Sequence, residues 1–158
     1  MRNAFFKSAV LISTVLLNVS CSHKEVFFEY HSFTNAEWSS GDTAVFNVKI
    51  EKNSQPYNVS VELRNNDDYP FSNLWLFINC KMPDGKSRTD TIGADLADVY
   101  GKWYGKGLSL YNLSIPYEKA ILFPDTGVYV YTVHQGMRVD PLKGITDIGL
   151  KVSEKSDE

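Results

Sequence analysis

The sequence has 158 residues, of which 43% are hydrophobic, 13% aromatic and 22% charged, a composition typical of one folded domain and too short for a second, catalytic domain. The 19 Asp and Glu residues outnumber the 16 Lys and Arg residues, so that the net charge is −3, and the basic residues form no cluster. This charge distribution excludes nucleic acid as a partner, because phosphate binding requires a basic surface.

Residues 1–20 have the pattern of a lipoprotein signal peptide. Arg2 and Lys7 give the segment a basic start, and an apolar run follows at 9–17. This run is shorter than the roughly 20 residues of a membrane-spanning helix. We therefore predict removal of the segment, with a permanent N-terminal anchor helix as the alternative.

Cys21 ends the stretch 17–21 (LNVSC), which resembles a bacterial lipoprotein cleavage box. We predict that Cys21 becomes the first residue of the mature chain and carries acyl chains, which anchor a protein stably when two or more are present. An exposed unpaired thiol would otherwise be a liability in an oxidising compartment. The next residues lack an acidic run, which favours the outer membrane with the protein facing the periplasm.

Residues 21–152 are predicted to form a single all-β domain, because apolar residues alternate and no long segment has helical periodicity. The stretch 74–82 is apolar on both faces, as expected for a central strand, with Trp75 and Phe77 opposite Cys80 and its neighbours. About eight strands favour a two-sheet antiparallel β-sandwich, immunoglobulin-like or jelly-roll in strand order. The polar residues 153–158 are predicted to form a flexible tail. The predicted strands are 26–30, 44–50, 57–64, 74–82, 87–92, 108–115, 128–134 and 145–152.

A short motif before the seventh predicted strand supports the sandwich. Asp125, Gly127 and Tyr129 have the spacing of a tyrosine corner, in which a phenol ties a connection between strands to nearby backbone. An ordinary turn before a tyrosine-rich strand is the alternative.

Residues that carry chemistry are sparse. The three histidines share no metal-ligand spacing, and the acidic residues match no calcium loop. Cys80 lies in an apolar strand, which predicts an inert core thiol. The segment 101–107 lacks the spacing and the Ser or Thr of a phosphate-binding loop. We predict no metal, no cofactor and no enzymatic activity.

Polar and aromatic residues are concentrated in three loops, 64–73, 95–107 and 135–144. Tyr, Trp, Met and Arg are enriched in protein interfaces, and a rigid scaffold presents its loops for binding. The alternative is that these aromatics fold back as a lid on the core. The candidate partner-binding residues are Tyr69, Phe71, Trp103, Tyr104, Met137 and Arg138.

Several motifs in one order resemble the gliding motility lipoprotein GldH family of Bacteroidota. Beside Cys21 they are YPFSNLW at 69–75, GKWYGKG at 101–107, QGMR at 135–138 and LKGITDIGL at 142–150. The resemblance implies a small envelope lipoprotein without catalytic activity, needed for surface motility and linked to type IX secretion. Since the family also occurs in bacteria that do not glide, it equally allows a role in envelope assembly. Only the lipidated cysteine, Cys21, is carried over as a functional residue.

Two hypotheses follow for the function. The first is a lipid-anchored scaffold whose loops bind envelope proteins of the gliding or type IX secretion apparatus, so that Trp103→Ala or Arg138→Ala weakens partner binding without unfolding the domain. The second is a carbohydrate-binding β-sandwich whose loop aromatics stack on sugar rings. An envelope hydrolase with paired carboxylates is a third, remoter alternative.

Overall fold

The computed structural model describes residues 24–155, so Cys21 and the signal segment lie outside the described residues. Within this range the chain forms eight strands of 7 to 12 residues, two strands of two residues and one 3₁₀ turn at Thr34–Ala36. No helix among these residues is long and apolar enough to cross a membrane. The strands are β1 (Glu25–Ser32), β2 (Glu37–Trp38), β3 (Ala44–Ile50), β4 (Tyr57–Asn66), β5 (Asn73–Lys81), β6 (Ser87–Asp95), β7 (Leu110–Ile121), β8 (Gly127–Gln135), β9 (Leu142–Lys143) and β10 (Ile145–Glu154).

The long strands form two antiparallel four-stranded sheets, in the orders β1-β10-β4-β7 and β3-β8-β5-β6, while β2 and β9 pair separately. The predicted all-β sandwich is therefore confirmed. Every connection between consecutive long strands crosses to the other sheet, except the β5–β6 hairpin. This is the jelly-roll arrangement, because an immunoglobulin-like sandwich keeps more consecutive strands within one sheet.

The core lies between the two sheets and follows strict alternation. In β4, buried residues from Tyr57 to Asn65 alternate with half-buried ones along all ten positions. In β3, Phe46, Val48 and Ile50 face the same core. Each such aliphatic or aromatic side chain contributes about 1.5–3 kcal/mol when fully buried, so these inner faces supply the main stabilisation of the sandwich.

Two strands, β10 and β7, end later than the sequence predicts, because their last residues pair with residues that are distant in the sequence. Strand β10 continues past Val152 to Glu154, because the backbone N–H of Glu154 donates to the carbonyl of Lys24 at 2.9 Å. Ser153 and Glu154 therefore belong to a strand and not to the polar tail. Strand β7 likewise extends to Ile121, well beyond the predicted end at 115, since its second half pairs with the start of β4 across two irregularities in register.

Strand β5 is apolar on both faces, but only one of these faces is buried in the sandwich. Leu74, Leu76 and Ile78 point into the core, but Trp75 and Phe77 point outward and are 47% and 44% exposed. A strand in a two-sheet sandwich has only one buried face. The expected placement of Trp75 and Phe77 within a central strand is correct, and their outer face is open to solvent.

Two local predictions are confirmed. Cys80 is buried, and burial raises the pKa of its thiol, as expected of an unreactive core cysteine. The Tyr129 hydroxyl donates to the carbonyl oxygen of Asp125 at 2.9 Å, so the phenol ties the β7–β8 connection to the start of β8 as in a tyrosine corner.

The two ends of the sandwich differ in their connections. We call one the turn end, because it carries the short connections 51–56, 82–86 and 122–126 together with Lys24 and Lys155. The loop end is the opposite one, and it carries the connections 33–43, 67–72, 96–109 and 136–144, three of which are longer than any at the turn end. The two ends are separated by the length of β1, eight residues or about 25 Å at the rise of a strand.

Candidate docking surface at the loop end

Three of the predicted site residues form an aromatic cluster that closes the core at the loop end. The Tyr69 ring is only 3% exposed, and its centroid lies 5.8 Å from that of Phe71 and 6.3 Å from that of Trp103. The Tyr69 hydroxyl donates to the carbonyl of Asn73 at 2.7 Å, and burial raises the pKa of this phenol. These three residues therefore fold back over the core as a lid, which is the alternative given in the sequence analysis. Tyr69 is too buried to contact a partner.

Trp103 is held on several sides. Its ring centroid lies 5.7 Å from that of Tyr111, its indole N–H donates to Asp67 Oδ1 at 3.3 Å, and its backbone bridges to Ala97. The expectation that Trp103→Ala leaves the fold unaffected does not agree with this packing. Truncating Trp103 removes contacts of the cluster, so this variant cannot separate binding from stability.

The remaining predicted residues divide between support and surface. Met137 is partly buried against the core, and its sulfur accepts a hydrogen bond from the backbone N–H of Trp75 at 3.4 Å. Tyr104 and Arg138 are exposed. Thus, of the six predicted residues, Tyr104 and Arg138 are exposed, Tyr69 is buried, and the other three are partly buried.

The most exposed apolar side chains of the loop end are three that are not among the six candidate residues. Val99, Tyr100 and Leu108 are 92%, 93% and 94% exposed, and all lie in the β6–β7 connection, residues 96–109, which we call the docking loop. The aromatic-rich segment drew attention to this loop in the sequence. Nothing in the local sequence distinguishes the inward Trp103 from the outward Tyr100, because the direction depends on the cluster that receives Trp103.

The docking loop has a defined backbone. The Asp98 carboxylate accepts hydrogen bonds from the N–H groups of Tyr100 and Lys102, each at 2.9 Å, and Gly101 takes a positive φ of 82° in the turn between them. The N–H of Tyr104 donates to the carbonyl of Leu96 at 2.8 Å. A backbone held in this way loses little conformational freedom on binding, which favours affinity.

Asp140 connects two of the four loops. Its carboxylate accepts hydrogen bonds from the backbone N–H of Ser40 at 2.8 Å and from the Ser40 hydroxyl at 2.6 Å. These hydrogen bonds lower the pKa of Asp140, with the Ser40 hydroxyl as the largest cause. The ionised carboxylate therefore joins the connection 136–144 to the connection 33–43.

A pH dependence follows from this lowered pKa. The contribution of Asp140 to stability is complete above the unfolded pKa of about 3.9 and is lost as the pH falls through the lower folded pKa. We expect Asp140→Asn to melt at a lower temperature than the wild type at pH 6, and the difference to shrink below about pH 4. Thermal unfolding followed by circular dichroism between pH 6 and 2.5 measures this. A difference that stays constant over that range would contradict the role of the Asp140 charge.

Charged groups also tie the open edges of the two sheets. Arg88 on β6 donates to Asp90 Oδ2 at 2.9 Å and pairs with Glu118 on β7, and the Tyr117 hydroxyl bonds to Asp90. Hydrogen bonds to Tyr117 and Glu118 raise the pKa of Arg88. The two carboxylates are thus engaged by one guanidinium across the sandwich edge. No three His, Cys, Asp or Glu residues in the described part of the chain are grouped closely enough to hold a metal ion.

Comparison with known proteins finds similarity to one protein family. A family model described as GldH lipoprotein matches residues 25–152. The chain is 33% identical to a gliding motility lipoprotein GldH homolog of Christiangramia forsetii, with 99% of each chain covered. It is 31% identical to the gliding motility lipoprotein GldH of Flavobacterium johnsoniae, with 94% of this chain and 96% of the relative covered. The similarity therefore extends over the whole sandwich and all four loops of the loop end.

Proposed function

Because the chain belongs to the GldH lipoprotein family, we propose that it is a membrane-anchored envelope lipoprotein without enzymatic activity. It supports the gliding or type IX secretion machinery, or envelope assembly, by binding other envelope proteins. The names of its relatives support the lipoprotein and gliding parts of this proposal. The observation that carries the binding role is the set of exposed apolar side chains on the hydrogen-bonded docking loop.

Lys24, three residues after the predicted anchor Cys21, lies at the end of the domain opposite the docking loop. Lys24 is paired with Glu154 at the turn end, through a 3.2 Å contact between Nζ and Oε1. Three residues of extended chain span at most about 11 Å, so acyl chains on Cys21 would hold the turn end close to the bilayer. The loop end would then project about 25 Å farther out. We place the anchor in the periplasmic leaflet of the outer membrane.

The partner we propose is a protein with an apolar docking site. Val99, Tyr100 and Leu108 present apolar groups that no other part of the described chain covers, while Tyr104 and Arg138 add residue types enriched at interfaces. Exposed apolar side chains that project from a rigid loop gain free energy only when a partner removes them from water. The loop end therefore matches the binding face of a scaffold.

We expect Tyr100→Ala and Leu108→Ala each to weaken partner binding by about 2 kcal/mol, or about 30-fold, the size of effect found at interface hot spots. The measurement is recovery of envelope proteins with tagged full-length protein from detergent-solubilised native membranes. Both side chains are almost fully exposed, so the unfolding temperature should not change. Leu122→Ala, an exposed leucine at the turn end, is the matched control. Undiminished recovery with both loop variants would argue against this face.

A further inference from the structure

The outer faces of the two sheets have opposite character. On the sheet β1-β10-β4-β7, the outward rows contain Lys151, Glu62, Arg64 and Asp147. These groups are engaged with each other and with neighbours, as when Arg64 lies 3.9 Å from the Tyr30 ring centroid and Glu62 accepts the Ser114 hydroxyl at 2.7 Å. The outer face of the other sheet lacks such charges in its central rows.

Three successive outward rows of the sheet β3-β8-β5-β6 carry no acidic or basic side chain apart from one histidine. The register places Trp75 beside Gly93, Phe77 beside Thr91, and Asn79 beside Thr89. On the other side of β5, Phe77 faces His134 and Asn79 faces Thr132. We call this surface the platform, and its residues are Trp75, Phe77, Asn79, Thr89, Thr91, Gly93, Thr132, His134 and Gly136.

The two aromatic rings of the platform lie over glycines. A Cβ atom on Gly93 would lie 2.9 Å from both Cη2 and Cζ3 of Trp75, so the six-membered ring of the indole covers this glycine. A Cβ atom on Gly136 would lie 3.2 Å from Cε2 of Phe77. The Trp75 ring thus has one side against the sheet and the Phe77 ring has one edge beside Gly136, yet Trp75 is 47% and Phe77 44% exposed. The Trp75 ring lies on the β6 side of β5, and the Phe77 ring leans toward Gly136 on the other side. Their open sides therefore form two apolar surfaces, one on each side of β5.

Uncharged hydrogen-bonding groups surround these rings. The Asn79 amide donates to the Thr89 hydroxyl at 2.8 Å, and the Thr43 hydroxyl lies 3.2 Å from His134 Nδ1. Each of these groups retains further donor or acceptor capacity. Aromatic surface with a few placed polar groups is the usual composition of a small-ligand site.

The size and charge of the platform favour a glycan over a protein. Three rows across three or four strands cover about 15 Å by 15 Å, on the order of 200 Å², whereas a stable protein interface takes about 800 Å² from each partner. Sugar rings have apolar C–H faces that pack on the electron-rich face of an aromatic ring, and their hydroxyls need neutral hydrogen-bonding partners. A surface that has no acidic or basic side chain apart from His134 matches a glycan without charge.

We propose that the platform binds a neutral oligosaccharide that spans β5, with sugar rings stacked on Trp75 and Phe77 and hydroxyls bonded to Asn79, Thr91 and His134. This is a second binding site, on a sheet face, and it is separate from the docking loop. It also differs from the carbohydrate-binding hypothesis of the sequence analysis, which placed the stacking aromatics in the loops. The site does not depend on the partner proposed for the loop end.

The test is affinity electrophoresis of full-length protein in native gels that contain one soluble neutral polysaccharide each: mixed-linkage β-glucan, xyloglucan, galactomannan, dextran or starch. The detergent must have no sugar headgroup, because a maltoside would compete. We expect retardation by at least one polysaccharide, and at least tenfold weaker retardation for Trp75→Ala. Gly93→Ala should weaken binding too, because the added methyl displaces the indole while every ring is kept.

Phe28→Ala is the matched control, since Phe28 is 42% exposed on the outer face of the opposite sheet. It should bind as the wild type does. Retardation by none of the five polysaccharides, or equal loss with Phe28→Ala and Trp75→Ala, would overturn the proposal. So would retardation only by an anionic polysaccharide such as polygalacturonate, or an envelope protein whose recovery requires Trp75 and Phe77. Loss of partner recovery with the Tyr100 and Leu108 variants tests the docking loop alone.

Discussion

Replacing Cys21 by alanine is expected to move the protein from the membrane fraction to the soluble fraction. Each acyl methylene buried in a bilayer contributes about 0.8 kcal/mol, and two chains suffice for stable anchoring. The described domain contains no helix that could take over this role. Fractionation of cell envelopes after a carbonate wash measures the shift, and mass spectrometry of the wild-type N-terminus detects the acyl chains.

The second cysteine provides the control for this experiment. Cys80 is buried in β5, so Cys80→Ala should remain in the membrane fraction even if it lowers the stability of the domain. If the anchor lies in the periplasmic leaflet of the outer membrane, protease added to intact cells should leave the wild type uncut. Retention of Cys21→Ala in washed membranes would show that something other than acylation holds the protein there.

The largest loss of stability is expected from Trp38→Ala. Trp38 is fully buried, its ring is stacked on Phe33 with centroids 4.6 Å apart, and its indole N–H donates to the carbonyl of Asp42 at 2.9 Å. Truncation of a buried tryptophan to alanine costs about 3–5 kcal/mol. We expect urea denaturation, followed by circular dichroism, to show a decrease of this size in the free energy of unfolding.

Another tryptophan serves as the control. Trp75→Ala removes the same group from a half-exposed position on the outer face of β5, so we expect a cost below about 1 kcal/mol, as for most surface substitutions. The comparison isolates burial, because the chemical change is identical in the two variants. Equal losses for Trp38→Ala and Trp75→Ala would mean that the assignment of inner and outer positions is wrong.

Local patterns predicted the strands well. The alternation from Tyr57 to Leu63 predicted which side chains of β4 face the core. The spacing of Asp125 and Tyr129 predicted the hydrogen bond between them that the structure contains. The end of β10 was placed too early because its last residues pair with the chain near Lys24. That partner is about 130 residues away, so no local pattern reveals it.

The candidate site shows the same contrast between features that the local sequence predicts and features that long-range packing decides. Residue composition correctly directed attention to the three aromatic loops, and the topology brings all three to one end of the sandwich. Residue composition could not distinguish Tyr69 and Trp103, which pack inward, from Tyr100 and Leu108, which point outward. Whether an aromatic side chain in a loop is buried depends on the cavity that other loops leave for it.

By itself, the sequence determined the all-β class, the positions of the eight long strands, the buried state of Cys80 and membership of the GldH lipoprotein family. These properties can be predicted because the alternation of apolar residues and the motifs that indicate them lie within short stretches of sequence. Tertiary structure decided the jelly-roll order, the outward direction of Trp75 and Phe77, and the separation of the turn end from the loop end. These depend on which strands pair across long stretches of chain, and on the rule that a two-sheet sandwich buries only one face of each strand.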